Sequence, residues 1–254
     1  MTESSTRTCL ILGATSAVAL AFARQAATAG NTRLILAGRN EARLNEILAD
    51  VVARGAAAES FVLVGELGDP DQVGPLATDA VAKAGQIDEV LLAYGVLGDQ
   101  ADMEKDIDAV RSLLNVNFVS AVMWCELMVS HFESKSNGRL AVIGSVAGDR
   151  GRQSNYLYGA TKGGLERVCE GMAHRFAGSK NISVTLIKPG FIDTPMTDHI
   201  KKSGPLWATP DTVASVIRRA MDKRRVRVYA PWFWRWILLI IRTLPVFVMH
   251  RTKL

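Results

Sequence analysis

The run T-C-L-I-L-G-A-T-S-A-V-A, Thr8 to Ala19, carries more structural information than any other part of the chain. Thr8–Leu12 is an apolar run of strand length, Gly13 permits a tight turn, and the spacing predicts a helix from about Ser16 to Ala29. A Gly-rich turn that opens a helix after a first strand is where a doubly wound fold holds a nucleotide pyrophosphate, with the positive helix end facing the anion. Gly13, Thr15, Ser16, Ala17 and Val18 are the candidate contacts. Two positions where the full fingerprint has glycine are Ala17 and Ala19. Alanine allows close packing but not the nearest approach of backbone to a cofactor, so an ordinary tight turn remains the alternative reading of this run.

Outward from this turn, apolar strands and amphipathic helices alternate. Strands are predicted at Arg33–Ala37, 60–65, Glu89–Ala93, Arg139–Ile143, Ile182–Ile187 and 226–229. Helices are predicted at 41–53, 71–84, within 104–132, at 156–177 and at 211–222. Continuous apolar strands separated by helices imply a parallel sheet covered on both faces. The expectation is a single doubly wound, Rossmann-type α/β domain over residues 1–230 with a seven-stranded parallel sheet. An apolar, basic tail, residues 231–254, follows it.

Composition narrows the function classes. Residues 218–254 hold ten Lys/Arg and one acid, Asp222, a net of +9, whereas residues 1–217 are net −4. Nucleic-acid binding would want the basic surface on the folded body, so it is not expected. Cys9, Cys125 and Cys169 are odd in number and have no metal spacing, which fits interior thiols of a cytosolic protein. No metal site is expected from the scattered His131, His174, His199 and His250. No apolar leader precedes the first strand, and export is not expected.

The chemistry is suggested further along. Tyr158 and Lys162 end a Y-G-A-T-K run, four residues apart and on one helix face, with Ser145 thirteen residues upstream. A cation beside a phenol is expected to lower the phenol pKa and make it a usable proton donor or acceptor. A serine hydroxyl from a strand end would hold the oxygen of a carbonyl or alcohol. Singly, each has a plain reading: a surface tyrosine, a solvated lysine, a strand-end cap. The second strand ends in Arg39 rather than an acid, which suits a ribose 2′-phosphate, although a solvated loop cation is the alternative.

With the Gly-rich turn, the serine and the Y-x-x-x-K pair in order, the chain resembles the short-chain dehydrogenase/reductase family over roughly residues 7–230. The resemblance implies a nicotinamide-dependent oxidoreductase with Asn117, Ser145, Tyr158 and Lys162 as catalytic residues. It also implies cofactor contacts from Glu66 and Leu67 beside the adenine and from Ala93 and Gly95 after the fourth strand. Tyr158 and Lys162 would contribute as well, with Pro189, Gly190, Ile192 and Thr194 at the nicotinamide carboxamide. The family's Asn-Asn-Ala-Gly run is here Leu92-Ala93-Tyr94-Gly95, which keeps only the glycine end. The expected cofactor is NADP, with NAD as the alternative, and the implied assembly is a homodimer or homotetramer.

Within the family, Ala93 to Asp99, Gly144 to Arg150, Met196 to Lys201 and Ala230-Pro231 resemble reductases of a keto-sugar carried on a polyprenyl phosphate. This implies a lipid-linked substrate and a flavin oxidase partner that produces it. The alternatives are a soluble carbonyl or hydroxysteroid-type reductase and a non-catalytic nucleotide-binding scaffold. His199, Lys201 and Lys202 are candidate lid contacts to a sugar or phosphate. In the tail, Trp232, Trp234 and Trp236 precede an aliphatic run interrupted by Arg242 and Pro245. Those interruptions favour an anchor lying on an anionic membrane surface over a span, with Arg235, Arg242, Arg251 and Lys253 meeting lipid. Packing against the body is the other reading. The expected location is the cytoplasm, peripheral on the inner face of the cell membrane.

Overall fold

A computed structural model describes residues 6–198 and 204–252. Strands β1 (Arg7–Leu12), β2 (Thr32–Gly38), β3 (Phe61–Val64), β4 (Glu89–Leu92), β5 (Gly138–Ile143) and β6 (Ile182–Pro189) are crossed by helices on both faces. The helices are α1 (Ala17–Thr28), α2 (Glu41–Ala53), α3 (Pro70–Ala84), α4 (Gln100–Met103), α5 (Ile107–Leu114), α6 (Ser120–Lys135) and α7 (Tyr156–Arg175). A two-stranded ribbon, β7 (Phe191–Ile192) with β8 (Trp207–Ala208), leads to α8 (Pro210–Asp222) and β9 (Arg227–Ala230). The main sheet has seven strands in the order β3-β2-β1-β4-β5-β6-β9, and every pair is parallel. The strand order reverses between β1 and β4, which opens a crevice at the carboxyl ends of the strands.

The strands are apolar because both faces are covered: β4 is buried throughout, and β1 and β2 nearly so. One core joins Leu10, Leu12, Val90 and Leu92 to Trp124, Phe132 and Leu165, and the other joins Ile11 and Leu36 to Phe22 and Ile217. The long helix expected within 104–132 is present and is preceded by a separate short one, α4. Asp99 and Asp106 each accept backbone N–H groups of the following turn and so start α4 and α5 separately. From Ile107 the helix runs on to Lys135 through a π-turn at Asn115–Val119, a feature often found at functional sites. It is also the one helix among the described residues long and apolar enough to cross a membrane, and it packs in the core of the domain.

The tail is structured. Helix α9 (Trp234–Thr243) and a short turn α10 (Val246–Met249) are separated at Leu244-Pro245. Ten residues of helix reach only about 15 Å, half of a bilayer core, so the tail does not span as one helix. One face packs on the body: Trp234 and Leu238 are buried with Val146 and Tyr229. The opposite face leaves Trp232, Trp236 and Ile240 71%, 54% and 63% exposed. Lys253, His199, Lys201 and Lys202 lie outside the described residues.

Candidate active site

A cleft of about 960 Å³ follows the carboxyl edge of the sheet. At one end the β1–α1 turn forms as expected. The N–H groups of Gly13 and Ala14 both donate to Ala37 O at 3.0 Å, and Gly13 takes a positive φ of 87°. Ser16 caps α1, its Oγ accepting from Ala19 N at 3.3 Å. Ala19 is buried under the sheet, where its methyl packs α1 against β1, while Ala17 lines the cleft. Tyr94 stands at the alanine position of the family's Asn-Asn-Ala-Gly run. Its side chain lies against Gly13, and its hydroxyl is 2.8 Å from Ser120 Oγ. Burial pushes this phenol well above its ordinary pKa.

Arg39 and Glu66 face each other across the same end, 3.2 Å apart, with the Arg39 side chain 74% exposed. Glu66 also accepts from Gly68 N at 3.2 Å, and Leu67 is buried beneath it.

At the other end, three elements bring the expected catalytic groups together. Ser145 ends β5 and caps a short turn at Val146–Asp149, accepting from Ala147 N at 3.1 Å. Gly148 lets that turn press on α7, since a β-carbon there would come within 2.8 Å of Gly163 N. This places the Ser145 hydroxyl against the Tyr158 phenol of α7. Lys162, one turn along α7, is buried, and its Nζ donates to Ile143 O at 3.1 Å and lies 5.8 Å from the Tyr158 ring centre. Asn117, in the π-turn, accepts from Val96 N at 2.8 Å and donates to Val96 O at 2.7 Å, locking the loop after β4. Gly95 leaves the gap between these groups open: a β-carbon there would lie 3.0 Å from Asn117 Oδ1 and 3.5 Å from Lys162 Nζ.

The electrostatics correct one expectation. Burial raises the Tyr158 pKa above its ordinary value, and the Ser145 hydrogen bond opposes this only in part. The Lys162 ammonium donates to the Ile143 carbonyl rather than to the phenol. Burial in turn lowers Lys162 to about 8.

Of the expected site residues, Gly13, Thr15, Ser16, Ala17, Val18, Arg39, Glu66, Leu67, Ala93, Gly95, Ser145, Tyr158, Lys162, Pro189, Gly190, Ile192 and Thr194 all line this cleft. Asn117 stands behind it, beside Gly95 and Lys162. These residues fit a dinucleotide: a helix N-terminus at the turn, an exposed guanidinium at the ribose end, and a hydroxyl–phenol pair at the far end.

Sequence reasoning did not place Trp234, Arg152 or Asn155 in the cleft, yet all three line it. Trp234 of the tail sits directly over Gly190, where a β-carbon would fall 1.9 Å from its Nε1. Arg150 ties the tail to the Ser145 turn, donating to the carbonyls of Ile241, Arg242 and Leu244 at 2.7, 3.0 and 2.6 Å. A cation on the last carbonyls of a helix is favourable with its dipole. Beneath the tail, buried Lys188 is held by Asp149 and Glu166, Tyr229 donates to Asp149 Oδ2 at 2.9 Å, and Arg227 donates to Glu166 at 3.1 Å.

Comparison with known proteins agrees with this architecture. The profile of the short chain dehydrogenase family matches residues 7–204. An uncharacterized oxidoreductase of Mycobacterium tuberculosis is 33% identical over 253 residues, covering 99% of both chains. Another from Streptomyces coelicolor is 31% identical, covering 94% of this chain and 93% of its own. Among solved structures, a variant of actinorhodin polyketide ketoreductase with NADPH superposes with a TM-score of 0.79 at 19% identity, covering 90% of this chain and 97% of its own; it shares the fold. The chain belongs to the short-chain dehydrogenase family and is an oxidoreductase of that family.

Proposed function

We propose that this protein is an NADPH-dependent reductase of a keto group on a polyprenyl-phosphate-linked keto-sugar, resembling decaprenylphosphoryl-2-keto-erythro-pentose reductase. The observation that carries the reading is the convergence of Ser145, Tyr158 and Lys162 at one end of a cleft whose wall is completed by Trp234 from an apolar-faced tail helix. The reduced nicotinamide supplies the hydride. Ser145 holds the keto oxygen and Tyr158 delivers the proton to it. A raised pKa keeps that phenol protonated at neutral pH, as an acid must be. Lys162, still mostly cationic at pH 7, stabilises the phenolate left behind and holds the nicotinamide ribose. Asn117 anchors the proton-relay water in the gap over Gly95. Arg39 at the ribose end favours NADP over NAD, and NADPH is bound by the structurally similar ketoreductase.

The exposed tail face, Trp232, Trp236 and Ile240, lies on an anionic membrane at the cytoplasmic side and presents the cleft to lipid-borne substrate. A basic groove of about 360 Å³ beside it, lined by Arg219, Lys223, Arg225, Arg227 and Arg235 with Trp232, supports this. The enzyme would work with a flavin oxidase that makes the ketone, as a homodimer or homotetramer.

Tyr158→Phe tests the chemistry. Reduction should fall at least about 100-fold with NADPH affinity retained, and a variant keeping a tenth of the rate removes the assignment. Membrane binding is tested on the full chain with Trp232→Ser, Trp236→Ser and Ile240→Ser combined, which spares the buried Trp234. Wild type should sediment with anionic liposomes and the triple variant should not. Failure of wild type to sediment ends the anchor reading.

A further inference from the structure

Buried polar groups without partners are rare in folded proteins, and each calls for an explanation. Among the described residues, four buried side-chain polar atoms have no protein partner, and three of them line the cleft: Arg152 Nε, Asn155 Oδ1 and Trp234 Nε1. Arginines at the cleft differ sharply. Arg39 is paired with Glu66 at 3.2 Å and Arg111 with Asp108 at 2.9 Å, whereas Arg152 has no carboxylate partner among the described residues. The nearby carboxylate of Asp149 is already taken by Lys188 and Tyr229. The only hydrogen bond the Arg152 side chain makes among the described residues is a long one of 3.4 Å to the carbonyl of Val146, the residue after Ser145. A half-buried guanidinium with no carboxylate partner is costly and has reason to persist where a ligand completes it.

Its neighbour is equally available. Asn155 occupies the N-cap position of α7, where an asparagine side chain normally bonds the first-turn N–H groups, but here it makes no cap bond. The two residues precede Tyr158 on the same loop-to-helix junction, at the end of the cleft away from Arg39, so they face substrate rather than the ribose end of a dinucleotide.

We propose that Arg152 and Asn155 form a substrate subsite that recognises an oxyanion flanked by a hydroxyl, the anion resting on the Arg152 guanidinium edge and the hydroxyl donating to Asn155 Oδ1. A guanidinium edge matches the two oxygens of a phosphate ester or a carboxylate. This rests on the reductase reading and deepens it: the ketone is carried by an anionic, hydroxylated molecule, and neutral ketones miss this contact.

The test is binding to the full chain with NADP saturating the cofactor side, so that the probe cannot occupy the place beside Arg39. Calorimetric dissociation constants are compared for n-octyl phosphate, octanoate and neutral n-octyl glucoside. Wild type should prefer at least one anion over the glucoside by about ten- to a hundredfold. Which anion it prefers identifies the source of the charge. Arg152→Gln should erase the preference and Arg152→Lys should restore part of it. Equal binding of anions and glucoside by wild type, or an undiminished preference in Arg152→Gln, overturns the subsite. Reduction of a neutral aromatic ketone by wild type is scored separately. Turnover without anion preference leaves the reductase standing and removes the subsite. Anion preference with turnover of neither that ketone nor an anionic keto acid supports the subsite and counts against the reductase.

Discussion

Cofactor choice is the sharpest consequence of the ribose end of the cleft. Arg39 is mostly exposed, and among the described residues it pairs with Glu66, itself 40% exposed. An exposed pair of this kind is worth at most about 1 kcal/mol, so a 2′-phosphate displaces Glu66 easily. A charge-assisted contact from Arg39 to that phosphate contributes about 2–3 kcal/mol before the lost pair is subtracted. The net is about 1–2 kcal/mol, or roughly 5- to 30-fold in affinity. Arg39→Ala should therefore weaken NADPH by that factor and leave NADH almost unchanged. Glu66→Gln provides the opposite perturbation. It keeps an acceptor for Gly68 N, frees Arg39 and removes a like charge from the phosphate, so NADPH should bind a few-fold tighter. Nicotinamide fluorescence titrations of both cofactors at low and high salt measure all of this. An equal loss for NADPH and NADH in Arg39→Ala, or weaker NADPH binding in Glu66→Gln, would refute the reasoning.

Two further outcomes concern stability. Lys162 has its pKa lowered to about 8 by burial, so charging it costs folding energy below that pH, and the cost fades as pH rises towards the unfolded value near 10.5. Lys162→Met should accordingly stabilise the cofactor-free protein at pH 7, by at most about 3 kcal/mol, with the gain vanishing above about pH 10.5; a pH-independent difference in urea midpoints would contradict this. Asp149→Asn should cost about 3–5 kcal/mol because buried Lys188 loses a carboxylate. Lys188→Met should cost a similar amount, but the double variant leaves Glu166 balanced by Arg227 and should fall about 2–3 kcal/mol short of the sum. Additive urea-denaturation losses would show that the three buried groups do not act as one network.

Much of this protein was legible in one dimension because the signals are local. Alternating apolar strands and helices establish a parallel sheet, since a strand buried on both faces has to be continuous in apolar residues. Tyr158 and Lys162 share a helix face by spacing alone, and Gly13 announces its turn. The tertiary structure decided what depends on contacts between distant segments. Trp234 enters the cleft because it packs over Gly190, and Arg150 reaches carbonyls more than ninety residues away to hold it there. Lys188, near the end of a strand that otherwise reads as apolar, is buried only because Asp149 and Glu166 come from other elements to meet it. The direction of the Tyr158 shift likewise depended on burial, a fact of packing. Local spacing encodes which groups share a face; desolvation and pairing depend on which other segments close over them.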